Sequence, residues 1–183
     1  MRDLENSSPI ATAYATRADF CRTFAQEMKS LYLLSLLLMA GQNSAEQCFE
    51  SSLADCMDMR PVSKEWTHLW TRRIVLQNAI RRARPAVNNT DKASQSNLSS
   101  LASELNPALF AVLRLNTFDR FVFVMSVLEG YSDHECSMLL RCSQRDVFAA
   151  KAKALEHLTT TSEPQEFLRA GPQFTATGRR LAT

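Results

Sequence analysis

TFDRFVFVMSVLEGYSDHECSMLLRCSQRDVFAAKAKALEHL, residues 117–158, carries two helix-start signals of one type. Ser132-Asp-His-Glu135 and, eleven positions later, Ser143-Gln-Arg-Asp146 both fit the capping box. In that motif a Ser oxygen accepts from the N3 amide while the N3 acid accepts from the cap amide. The segment before the first box ends in Glu129-Gly130, where glycine can take the left-handed conformation that stops a helix. The expected order is a helix, a short helix of about two turns, a turn of roughly three residues and a longer final helix. That is the outline of a helix-turn-helix, whose last helix commonly enters a DNA major groove. The same outline also fits a three-helix bundle with no ligand, because a scaffold is not a site.

Working outward, the rest of the chain favours an all-α fold. Hydrophobic residues make up 45% of the 183 positions, enough for a packed core, and 22% are charged, too few for wholesale disorder. Glycine occurs only four times. The net charge of +2 requires any nucleic-acid contact to come from a local patch. Cys21, Cys48, Cys56, Cys136 and Cys142 form an odd set without CxxC spacing, against both a disulfide framework and a zinc site. Small buried thiols in a reducing cytosol are expected, with a redox-sensing thiol as the functional alternative. Met1 to Arg17 lacks an apolar secretory core. Leu31 to Ala40 is the most apolar run and is too short to span a bilayer, so it reads as a buried helix. A cytoplasmic protein with no membrane partner follows as the expectation.

The chain divides into a lead over 1–16, a three-helix domain over 17–85, a linker over 86–99, a helix-turn-helix domain over 100–158 and a flexible tail over 159–183. Phe20, Phe24, Leu31, Leu34 and Leu38 recur at helical spacing up to Gly41. Ser44-Ala-Glu-Gln47 reads as a further capping box. It opens a helix with Ala45, Cys48, Phe49, Leu53 and Cys56 inside and Glu46, Glu50, Asp55 and Asp58 outside. Ser63 is placed to cap a third helix from about Lys64 to Arg84, with Trp66, Leu69, Trp70, Ile74, Gln77 and Ile80 along one side and Pro85 ending it. The linker is rich in Asn, Ser and Thr. A short helix is expected to begin near Ser99 and stop before Pro107, and Ala108 to Leu115 is expected to be helical. FVFVMSVL has the composition of a strand, but Phe118, Phe121, Val122, Met125 and Leu128 fit the helical period.

Six basic residues stand on the third helix (Lys64, Arg72, Arg73, Arg81, Arg82 and Arg84) against the single acid Glu65. Interleaved with two tryptophans and Asn78, they suit phosphate contact and base stacking. A solvated helix face over core tryptophans gives the same pattern.

A three-helix domain, a linker and a C-terminal helix-turn-helix together resemble the extracytoplasmic-function sigma factors of bacterial RNA polymerase, which join regions two and four. Family members often read ALxxLPxRxRxVFxLxxxEGxSxxEIAxxLGxSxGTVKSRxxRA. Arg120, Val122, Phe123, Glu129, Gly130, Ser132, Glu135, Leu139, Leu140, Ser143 and Val147 match in register. In the first half, Ala45 and Glu46 agree with the family's DAEDLVQETF, while Gln47 replaces an acid and Glu50 a Gln. Asn78 agrees with the family's IARN.

The resemblance implies a transcription initiation factor, not an enzyme, without cofactor, metal or small-molecule substrate. It implies core RNA polymerase, promoter DNA and an anti-sigma factor as partners. Polymerase would be met by Glu46, Gln47, Glu50 and Asp55, and the downstream promoter element by Trp70, Arg72, Arg73, Asn78, Arg81 and Arg82. The recognition helix would use Ser143, Gln144, Arg145, Phe148, Lys151 and Lys153. One departure bears on this: where the family has VKSR, this chain has Val147-Phe148-Ala149-Ala150. Losing two such residues removes phosphate contacts. Phe148 then belongs to the core, to a partner surface or against a thymine methyl. The rival expectation is a degenerate sigma homologue that binds polymerase or an anti-sigma factor without reading a promoter.

Overall fold

In the computed structural model, residues 14–57, 62–87 and 106–161 are described, and among them the fold is all-helical. The expected short helix before Pro107, most of the linker, and the ends of the chain beyond these ranges lie outside the described residues.

α1 (Arg17–Met39) begins at a capping box that the sequence expectation lacked: the Thr16 amide donates to Asp19 at 2.9 Å and Asp19 N donates to Thr16 Oγ1 at 3.3 Å. Its C-terminal half is apolar almost all round, with Leu31, Leu34, Leu36, Leu37 and Leu38 buried. A helix of that kind sits in the middle of its protein, and α1 packs on α2, α3, α4 and α5. It ends at Ala40, left-handed at φ 50°, and not at Gly41. α2 (Gln42–Met57) starts directly after that turn, so Ser44 lies inside the helix and the expected capping box does not form. The i,i+4 contacts Gln42–Glu46 and Gln47–Asn43 occupy the side chains of its first turn instead. The expected inner stripe holds: Ala45, Cys48 and Cys56 are buried, and Phe49 and Leu53 are half-buried.

The Ser63 cap also differs from expectation. A single 3₁₀ turn, Lys64–Trp66, precedes α3 (Thr67–Ala83), and Ser63 makes no side-chain cap bond. The face of α3 turned into the core is Thr67, Thr71, Ile74, Val75, Leu76, Asn78 and Ala79; of the expected stripe Ile74 is buried and Trp70 and Ile80 are half-buried against the core. Trp66 is 55% exposed and Leu69 is exposed. α3 ends where Arg84 turns left-handed ahead of Pro85.

α4 (Pro107–Leu113) has Asn106 as cap and Pro at its first position, where a missing amide hydrogen costs nothing. α5 (Thr117–Phe123) is capped by Asn116, whose side chain accepts from the Asp119 amide. FVFVMSVL is helical, with a feature its letters do not announce: Val124–Leu128 widens into a π turn. The Glu129 amide reaches back to Val124 O at 2.9 Å. Val124 and Met125 stay buried while Val127 and Leu128 come to the surface. Gly130, at φ 74°, then reverses the chain into α6 (Asp133–Leu140) and α7 (Gln144–Thr161).

α1–α3 and α4–α7 meet in one apolar cluster that runs from Phe20 to Ala154. Arg120 of α5 crosses that junction. It is 2% exposed, and it donates to Leu38 O through Nε and Nη2 at 3.3 and 3.2 Å and to Leu115 O through Nη1 at 2.9 Å. Leu38 belongs to the last turn of α1, whose carbonyls have no intrahelical donors. Arg120→Ala leaves these oxygens buried and empties the site, which is expected to lower unfolding free energy by about 2–5 kcal/mol. Urea denaturation checks this; a loss under about 0.5 kcal/mol, the range of ordinary surface substitutions, would show that Arg120 is not structural.

Candidate nucleic-acid interface

The expected recognition helix is built from its caps. Ser132 N donates to Glu135 Oε2 at 2.9 Å and Glu135 N to Ser132 Oγ at 3.2 Å. Ser143 N donates to Asp146 Oδ2 and Asp146 N to Ser143 Oγ, each at 3.1 Å. Between the two helices Arg141 turns left-handed at φ 55°. Val147, Ala150 and Ala154 face inward, and Gln144, Arg145, Phe148, Ala149 and Ala152 face solvent. Phe148 is 68% exposed, which excludes the core reading of this side chain. The Gln144 amide nitrogen lies 3.2 Å from His134 Nδ1 on α6.

Both lysines of α7 have acids waiting for them. Lys151 Nζ lies 3.5 Å from Asp133 Oδ1, and Lys153 Nζ lies 3.2 Å from the largely buried Asp119 Oδ2. Ser143 and Asp146 are occupied with capping, so Gln144, Arg145 and Phe148 are the α7 candidates whose ends face outward.

The basic face of α3 is similarly engaged. Arg72 holds Glu129 with two nitrogens, Nε at 2.8 Å from Oε2 and Nη2 on Oε1, and donates to Ser30 Oγ at 2.7 Å. The Glu129 hydrogen bonds push its pKa up. Asn78 is buried and donates to Asp55 Oδ2 at 3.0 Å, while Arg81 donates to the same oxygen at 2.5 Å. Arg82 donates to Ser51 Oγ at 2.7 Å and Gln47 Oε1 at 3.3 Å. The residues expected to meet polymerase (Gln47, Asp55) and those expected to meet DNA (Asn78, Arg81, Arg82) are thus brought together across α2 and α3. Glu46, Glu50 and Arg73 are exposed, and Trp70 is half-buried.

The tryptophan stripe of α3 lines two clefts against the second half. One, of about 700 Å³, lies between Trp66, Leu69, Trp70 and Arg73 and the facing Leu128 and Tyr131. The other, of about 990 Å³, lies between Ile80, Arg81 and Arg84 and the facing Leu139, Leu140 and Arg141. Sequence periodicity found this stripe; only the fold shows that it faces another part of the same chain.

Burial pushes the Cys56 thiol up to about 12 and Cys136 up to about 11, so both stay protonated near neutrality. Cys48 is raised by the same cause. Among the described residues no group of three His, Cys, Asp or Glu side chains is placed to hold a metal ion. No described helix is long and apolar enough to cross a membrane. Comparisons with protein-family models, curated proteins and solved structures returned no match to this chain.

The caps make a pH prediction. Asp146 and Glu135 are held below the usual carboxylate range by the Ser143 and Ser132 side-chain hydrogen bonds and then by the backbone amides of the same serines. A folded pKa below the unfolded one means that the stabilisation is complete above the unfolded value, about 4. It is lost as pH falls through the lowered folded values. Ser143→Ala is therefore expected to lower the denaturation midpoint at pH 6 and to flatten its decline between pH 5 and 3. Parallel decline in wild type and variant would remove Asp146 from the acid response.

Proposed function

We propose that this chain is a sigma-like transcription initiation factor, with a region-two-like and a region-four-like unit joined by a linker, that binds core RNA polymerase and directs it to promoter DNA. The observation that carries the reading is the α6–turn–α7 pair. Each helix opens on a reciprocal Ser–acid box, Val147 of the second is fully buried, and the outer face of the second is open from Gln144 onward. Such a pair, read as a helix-turn-helix, presents the first turn of α7 to base edges. Arg145 is the side chain there with guanine-reading chemistry. Exposed Glu46 and Glu50 on α2 offer polymerase an acidic face, and Arg73 with the tryptophans beside it suits unstacked bases.

A second reading has its own support: a sigma homologue that binds polymerase or an anti-sigma factor without reading a promoter. Lys151 and Lys153 are already paired, and Phe148 and Met138 are both 68% exposed where a DNA-facing surface would be polar. A lysine that must leave an acid to reach phosphate contributes less to binding than a free one.

Run-off transcription with core polymerase and a mixed promoter library separates the two. The initiation reading expects transcripts that depend on this protein; polymerase binding without any such transcript selects the second reading. On a recovered promoter, Arg145→Ala is expected to relax base preference at one upstream position, at a cost of about 1–3 kcal/mol. Unchanged preference would place Arg145 outside the site.

A further inference from the structure

We infer that the outer face of α7 is a self-association surface, on which a second copy of this chain docks with its own α7 antiparallel. The inference needs neither polymerase nor promoter recognition.

Arg145, Phe148, Ala152, Leu155 and Glu156 lie on one side of α7 at helical spacing, and all are exposed. Phe148 is 68% and Leu155 44% exposed. Met138 widens the apolar patch. It stands one turn from His134 on α6, and His134 touches Gln144, which stands one turn from Phe148.

Charge decides the occupant. The strip begins with a cation, Arg145, and ends with an anion, Glu156, with the apolar residues between. The complement of such a strip is the same strip reversed, which is the condition for an isologous two-fold contact. An acidic partner helix laid along the whole strip would suit Arg145 and be repelled at Glu156. The remaining cations of α7 do not disturb the pattern, because Lys151 and Lys153 are held by Asp133 and Asp119.

Geometry allows the reversed pairing. A two-fold axis beside Ala152 sets Phe148 of each copy against Leu155 of the other. Only methyl groups then stand at the crossing, where small side chains permit close approach of the helices. Arg145 and the second copy's Glu156 lie about two residues apart in level, roughly 3 Å at the helical rise, within reach of their side chains. One helix pair widened by Met138 falls at the small end of specific interfaces, so association on the order of micromolar is expected. Arg145 and Phe148 are covered in the dimer, so self-association and any contact of α7 with DNA exclude each other.

Sedimentation of the full chain without DNA or polymerase tests this, over concentrations from about 1 to 200 µM around the expected affinity. The expected result is a monomer–dimer equilibrium that Phe148→Asp abolishes. Arg145→Glu and Glu156→Arg are each expected to weaken it about tenfold, and the double reversal to restore it. The reversals sit on exposed positions, and circular dichroism of each variant confirms the fold, so they decide the matter whatever Phe148→Asp does to stability. A wild-type chain monomeric throughout, a dimer that survives every single change, or a double reversal no better than the singles would overturn the inference.

Discussion

One guanidinium fixes the relation between the two halves of this molecule. Arg120 is buried among apolar side chains, and the partners found for it among the described residues are carbonyl oxygens, two bonds to Leu38 and one to Leu115. Burial alone pulls its pKa down to about 10, so it stays charged at neutral pH. Taking a guanidinium out of water is costly, and three charge-assisted hydrogen bonds offset the cost only when the acceptors are well placed. The last turn of α1 supplies such acceptors, because its free carbonyls carry the negative end of the helix dipole. α1 therefore ends on a side chain from more than eighty residues further along the chain, and α5 is held where α7 packs against it.

With α5 held there, the π turn at Val124–Leu128 delivers Glu129 to Arg72, and the tryptophan side of α3 faces the second half across two clefts. Much of the charge that looked available for ligands is consumed inside the chain. Arg72 goes to Glu129, Arg81 to Asp55, Lys151 to Asp133 and Lys153 to Asp119, while Arg82 keeps its charge and donates to the neutral Ser51 and Gln47. Ion pairs of this kind reduce the counterions that Arg72, Arg81, Lys151 and Lys153 would release on binding DNA. Recognition through one or two outward side chains, added to a larger protein contact, fits the arrangement better.

The local parts of the fold were legible in the sequence. Ser132, Ser143 and Asn116 announce helix starts through chemistry confined to four residues, and Gly130 announces a reversal because few other residues accept its φ. The apolar stripe of α2 and the buried Leu31–Ala40 run follow from helical period. The failures share a different origin. Ser44 has the letters of a cap, but α2 had already begun at Gln42, because the left-handed turn falls on Ala40, one residue before the glycine that marks it in the sequence. The tryptophan stripe was found with its environment left open, since periodicity detects a face and does not say what it faces. The partners of Lys151 and Lys153 were invisible for the same reason: Asp119 is remote in sequence, and Asp133 becomes a neighbour only through the turn at Arg141. At the candidate site, residue types were readable and their availability was not.

Core RNA polymerase is the proposed target of this scaffold, and equilibrium binding of the labelled full-length chain to purified core polymerase tests that proposal. Saturable binding is expected, which a sigma factor displaces and which Glu46→Lys with Glu50→Lys, both exposed positions on α2, weakens. Absence of binding at micromolar concentrations of a chain shown to be folded would contradict it.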